Sequence, residues 1–233
     1  MKHKTFIVTA ASEGIGAAIA QLLAEKGANV ALMARSEAVL TLAKNLGGIA
    51  LQGSVSDEAA LTKLVEMTIQ RFGRIDGVVN NTGHPTKGDL LSISDDEWHK
   101  DLDLLFLNVV RMARLVTPLM ERQKSGAFVN ISSASAFEPS LEYPVSSALR
   151  AGLASFSKLY ADRYAPFGIR MNTVLPGFID TFQVPAHVVD RIPLHRPGTT
   201  KELAAVVAFL LSDAAAYVTG QNIRVDGGLS KHI

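Results

Sequence analysis

The chain has 233 residues, 23 Lys+Arg against 22 Asp+Glu, and a formal net charge of +1; 48% of its residues are hydrophobic and 19% charged. A near-neutral balance argues against nucleic acid or an anionic membrane as the main partner, since both need a concentrated basic surface. The absence of cysteine excludes a disulfide scaffold, a thiolate zinc site and a catalytic thiol.

From the N-terminus, short β-branched runs alternate with longer amphipathic stretches. Thr5–Thr9, Asn29–Ala34, Gly48–Gln52, Ile75–Asn80, Gly126–Ile131, Ile169–Leu175 and Asn222–Val225 read as strands. Several lack polar/apolar alternation, as expected of strands covered on both faces. Ile15–Lys26 and Asp57–Phe72 read as helices, each closed by a glycine (Gly27, Gly73). Ser94 followed by Glu97 is a capping box that opens a long helix toward Gln123. Pro176–Thr200 is irregular and proline-rich, the pattern of a lid or substrate loop. Strand–helix alternation of this kind predicts one α/β domain over residues 1–233. Its expected form is a doubly wound Rossmann fold of about seven parallel strands with helices on both faces. The apolar run after Met1 is too short for a signal segment, and no uncharged stretch could span a bilayer. The expectation is a cytoplasmic protein that binds neither nucleic acid nor membrane. The six histidines show no metal-ligand spacing, so no metal is expected.

After the first strand comes Thr9-Ala-Ala-Ser-Glu-Gly-Ile-Gly16, leading directly into a helix. Glycines at such a turn let the backbone approach a pyrophosphate, and the helix N-terminus supplies oriented N–H groups. The turn resembles the TGxxxGIG signature of the short-chain dehydrogenase/reductase family, with Ala10 where the family's first glycine normally stands. Further elements fall in the same order: Asn80-Asn-Thr-Gly83 is similar to NNAG, Pro176-Gly177 followed by Thr181 to PG…T, and Asp226-Gly-Gly228 to the C-terminal turn. Asn108 resembles the mid-helix Asn that holds a proton-relay water. The resemblance implies a nicotinamide dinucleotide held by Thr9, Ala11, Ser12, Gly14, Ile15 and Gly16 at the pyrophosphate turn. It places Ser54 by the adenine, Asn81 and Gly83 along the adenosine ribose, and Pro176, Gly177 and Thr181 by the carboxamide. It also implies a small-molecule substrate and self-association to a dimer or tetramer. The stripe Leu102, Leu105, Phe106, Val109, Val110 and Ala113 reads as core or subunit contact.

NAD-specific folds place an acid at the end of the second strand, whereas this chain has Arg35. A guanidinium there favours a 2′-phosphate, and so NADP(H) over NAD(H). Glu13 stands where NADP-dependent relatives often carry a base, and Ser54 where the family usually has Asp.

The family's chemistry uses Ser, then Tyr-x-x-x-Lys. Ser133 fits the serine, but the tyrosine and lysine positions fall on Ser146 and Arg150. Three readings stand. Tyr143 supplies the phenol as Tyr-x6-Arg, similar to the Tyr-x6-Lys of enoyl-thioester reductases, with Arg150 on the nicotinamide ribose. The Ser/Arg pair resembles halohydrin dehalogenases, relatives that dispense with the nucleotide. Or the chain binds NADP without turnover, since loss of a positioned general acid forfeits ~10²–10⁴-fold in rate.

Overall fold

The computed structural model describes residues 1–231. Seven parallel strands form one sheet in the order β3-β2-β1-β4-β5-β6-β7. They are β1 (Thr5–Thr9), β2 (Asn29–Ala34), β3 (Ile49–Gln52), β4 (Gly77–Asn80), β5 (Gly126–Ile131), β6 (Ile169–Pro176) and β7 (Asn222–Val225). All lie within two residues of their expected bounds. β1, β4 and β5 are buried along their whole length, which is why their sequences do not alternate.

Successive strand residues supply opposite faces. Phe6 and Val8 pack with Ile19 and Leu23 of α1 (Gly14–Glu25), Val39 of α2 (Ala38–Asn45) and Val207 and Leu211 of the last long helix, Thr200–Leu211. Ile7 faces the other way, toward Leu61 and Leu64 of α3 (Glu58–Phe72) and Met112 and Val116 of the helix Asn108–Gln123. The expected helix ends are present. Asp57 accepts from Ala59 N and Ala60 N, Gly73 closes α3 in a left-handed conformation, and Ser94 and Glu97 form the capping box.

The long helix from Ser94 is not continuous. It divides into α4 (Asp95–Leu102), a π-helical turn (Asp103–Leu107) and α5 (Asn108–Gln123). At the junction the Asn108 side-chain amide donates to Leu104 O, taking a carbonyl out of the regular ladder. α6 (Pro144–Tyr164) starts with proline at its first turn, where no N–H is needed. The lid segment contains a short helix, α7 (Ala186–Val189). It ends at α8 (Thr200–Leu211), which is capped by a Thr199–Glu202 box. Among the described residues no helix is long and apolar enough to cross a membrane.

The chain reverses its direction of winding between β1 and β4, since β1 pairs with both β2 and β4. In open parallel sheets ligands bind beyond the carboxyl ends of the strands at such a switch point.

Candidate functional site

A cleft of about 1300 Å³ opens there, roomier than the ~300–1,000 Å³ of an ordinary ligand pocket. Its walls bring together Ser12, Gly14, Ile15, Arg35, Ser54, Asn81, Gly83 and Thr181 of the residues expected from sequence.

The floor is the turn after β1, pinned by its neighbours. Thr9 Oγ1 accepts from Asn81 N at 2.9 Å and donates to Asn81 O at 2.6 Å. Ala11, fully buried, donates its N–H to Met33 O at 3.0 Å. Asn81 Nδ2 donates to Ala10 O at 3.2 Å. Ala10 itself has φ +47°, left-handed backbone that costs an L-residue roughly 1–2 kcal/mol. Glycine at this place in the family pattern has a local reason.

Two glycines of the turn are required, Gly16 by space and Gly14 by conformation. A Cβ on Gly16 would lie 2.4 Å from Ala10 O and 2.9 Å from both Ala11 Cα and Asn81 Nδ2. Gly14 has φ +55°, and its missing Cβ position is 3.2 Å from Thr181 Cγ2. The loop after β6 therefore folds onto the turn through Thr181. Pro176 ends β6 in register with Val225, and Gly177 N donates to Val225 O at 3.0 Å. A Cβ on Gly177 would come within 2.8 Å of Asp226, so this pair fixes where the loop leaves the sheet.

The N-cap of α1 is Glu13, whose side chain makes no capping bond and lines the cleft; the first N–H groups of the helix are therefore open to an anion, with one carboxylate beside them. Across the cleft, Arg35 Nη2 lies 3.9 Å from the position a Gly83 Cβ would take, and Gln52 Nε2 holds the Arg35 carbonyl at 2.9 Å. Ser54 Oγ accepts from Ser56 N at 3.2 Å. Thr82, which the sequence reading passed over, lines the cleft with a buried hydroxyl that has no hydrogen-bond partner among the described residues. A glycine cradle, an uncapped helix start, an orphaned hydroxyl and a free guanidinium fit a dinucleotide phosphate.

The chemical residues lie past β5. Ser133 is half-buried. Its Oγ accepts from Ser135 N and from Ser135 Oγ, each at 3.2 Å. Ser135 Oγ is 3.1 Å from Ser146 Oγ, which accepts from Arg150 Nε at 3.1 Å. Arg150 Nη1 donates to Ile131 O at 2.9 Å. Burial alone pulls the Arg150 guanidinium down to about 10, still charged near neutrality. Ser133, Ser146 and Arg150 are thus joined, and the joint is Ser135, absent from the sequence reading. Its only signal was its place in the Ser132-Ser-Ala-Ser135 run.

Tyr143 stands apart from that network. It is the residue before α6, with φ −135° and ψ 57°, so the face rule for helical residues does not carry its phenol toward Arg150. Its ring lies under Lys87 Nζ, 4.6 Å from the centroid. Burial, and then the hydrogen bond and charge of Glu142, push the phenol above its usual range. Asn108 is buried at the π-helical junction, bonded to Leu104 O.

These features define a doubly wound α/β protein with a cleft suited to a dinucleotide at the switch point of its sheet. A family model described as enoyl-(acyl carrier protein) reductase matches residues 9–230. The 3-oxoacyl-[acyl-carrier-protein] reductase FabG of Staphylococcus aureus is 35% identical over 240 residues, covering 97% of this chain and 98% of that protein. The FabG of Salmonella typhimurium is 35% identical over 236 residues, covering 97% of each. Among solved structures, YwfH, an NADPH-dependent reductase involved in bacilysin biosynthesis, superposes with a TM-score of 0.94 at 26% identity, covering 100% of both chains. The chain belongs to the short-chain dehydrogenase/reductase family.

Proposed function

We propose that the chain is an NADP(H)-dependent reductase that transfers hydride to or from a carbonyl/alcohol pair, or an activated alkene, of a small substrate. The observation that carries this reading is the guanidinium of Arg35 over Gly83, at the strand end where an NAD-specific fold holds an acid. The printed names of the relatives, FabG and YwfH, are in keeping with it.

In this reading Gly14 and Gly16 hold the pyrophosphate, in a turn shaped by Thr9, Ala11, Ser12 and Ile15. Arg35 meets the 2′-phosphate and Ser54 the adenine, while Asn81 and Gly83 follow the adenosine ribose. Arg150 holds the nicotinamide ribose, and Pro176, Gly177 and Thr181 hold the carboxamide side. When bound, the nicotinamide supplies or accepts hydride. Ser133 polarises the substrate oxygen, Tyr143 or an ordered water near Asn108 passes the proton, and Phe178–Arg196 closes over the substrate. Copies associate as a dimer or tetramer through α5 and α6, where Leu159 is 66% exposed; Leu159→Glu should lower the mass seen by sedimentation, and an unchanged mass would refute that contact.

A second reading, NADP binding without turnover, is favoured by one observation: the Tyr143 ring packs under Lys87 Nζ, while a serine occupies the family's tyrosine position. NADPH and NADH titrations, followed by NADPH oxidation with acetoacetyl-coenzyme A and crotonyl-coenzyme A, separate the two. The first reading expects tighter binding of NADPH and its consumption. Tyr143→Phe should then abolish turnover and spare NADPH affinity. Binding without consumption on either thioester supports the second, and no NADPH binding overturns both.

A further inference from the structure

The hydroxyl network past β5 has fixed directions. A guanidinium donates through five N–H groups and accepts nothing, so Arg150 enters as donor to Ser146 Oγ and Ile131 O. Ser135 Oγ donates to Ser133 Oγ. A hydroxyl has one proton. Ser135, having used its own, accepts from Ser146 across their 3.1 Å contact. Ser133 Oγ takes a second bond from Ser135 N, which fills both of its lone pairs. Of the three hydroxyls, the Ser133 O–H alone is left uncommitted. Ser135, Ser146 and Arg150 are 8%, 4% and 7% exposed, whereas Ser133 is half-buried, so the open end of the chain is also the reachable one. The guanidinium's partners are a hydroxyl and a carbonyl, and among the described residues no carboxylate pairs with it.

We propose that Ser135 and Ser146 are positioning residues of an oxyanion donor, in which the chain Arg150→Ser146→Ser135→Ser133 holds the Ser133 hydroxyl as a one-way donor to a substrate oxygen gaining negative charge. This rests on the reading above that Ser133 meets the substrate. Donors aligned in one direction polarise each other, and a donor oriented before reaction stabilises the developing charge without reorganisation. As the substrate carbon gains hydride from reduced dinucleotide, the C=O electron pair moves onto oxygen and Ser133 donates to that oxygen while keeping its proton. No proton travels the chain, because its far end is an arginine that stays charged near neutrality. The proton that completes the product comes from Tyr143 or water.

The probe is 4-nitrophenol, whose phenolate form is read by its visible absorbance. Bound to the full-length chain with NADP⁺, and again without it, the probe should ionise more readily than when free, by about tenfold in phenolate ratio. Ser135→Ala should return the ratio toward the free value, and Ser135→Thr, which keeps the hydroxyl, should restore it. Ser146→Ala cuts the same chain elsewhere and should act alike if Ser135→Ala folds poorly. With acetoacetyl-coenzyme A, Ser135→Ala should lower kcat about tenfold with NADPH affinity unchanged. An equal phenolate ratio in wild type and both alanine variants, or no saturable binding of the probe, overturns the proposal. Failure of NADPH to bind overturns the cofactor reading instead, since the dinucleotide-free titration judges the chain separately.

Discussion

Gly16→Ala tests the floor of the cleft. The added Cβ would sit 2.4 Å from Ala10 O and 2.9 Å from Asn81 Nδ2, between the two partners of a 3.2 Å hydrogen bond. Two of its three close contacts are backbone atoms, Ala10 O and Ala11 Cα, so no side-chain rotation relieves them. Overpacking of this kind costs about 1–3 kcal/mol, and the lost Asn81 bond adds about 1 kcal/mol. For a chain of this length the sum is a fall of roughly 5–15 °C in Tm. The turn must also move away from the sheet, which lifts the α1 N–H groups from the phosphate position. NADPH affinity, followed by nucleotide fluorescence, should drop at least about tenfold. Gly47→Ala is the control: at φ +68° with nothing within 4 Å of its Cβ, it carries only left-handed strain of about 1–2 kcal/mol and should leave NADPH affinity unchanged. If Gly16→Ala binds NADPH as tightly as wild type, the turn does not hold the dinucleotide.

Ala10→Gly removes left-handed strain at φ +47° but loosens the unfolded chain; a net gain of up to about 1 kcal/mol is expected, and a lowered Tm in thermal denaturation would refute the strain. Arg35→Ala should weaken NADPH roughly 10–100-fold, the worth of a charge-assisted bond, and barely change NADH; equal affinity of wild type for the two dinucleotides would exclude the 2′-phosphate contact. Burial, and then Glu142, hold the Tyr143 phenol high; Glu142→Gln keeps an amide oxygen as acceptor and removes the charge. A phenol donates only while protonated, so reduction should fail as pH rises through its pKa. The variant should move that basic limb of the pH–rate profile to lower pH, and an unmoved limb would show that Tyr143 is not the donor.

The parts of the fold that were legible are those set by local rules. Val- and Ile-rich runs marked the strands because both faces of the sheet are covered, and Asp57, Gly73 and Ser94 marked helix ends through hydrogen bonds that span three or four residues. The Thr199–Glu202 box obeys the same rule, but it was absorbed into the proline-rich lid. The π-helical turn at Asp103–Leu107, beside the Asn108 bond to Leu104 O, was not legible, because the apolar spacing of Asp95–Gln123 reads as one continuous helix. In the site, Gly14 and Gly16 could be read because the backbone itself needs them. Ser135 could not. It meets Ser146 only through the short 3₁₀ turn at Ala134–Ala136 and the way α6 returns to the end of β5.

Ala10 shows how the two kinds of constraint meet. A residue whose own preference opposes its conformation persists when its surroundings over-determine it. Here Ala11 is tied to β2 through Met33 O, and both Thr9 and the Ala10 carbonyl are tied to Asn81 beyond β4. The turn is thus held from both neighbouring strands at the point where the sheet changes direction, and its shape follows from strand register more than from the residue at position 10. That explains why a methyl group is tolerated at Ala10 yet excluded at Gly16. Ala10 is half-buried on the wall of the cleft, whereas a Cβ at Gly16 would stand in the contact that joins the turn to the sheet.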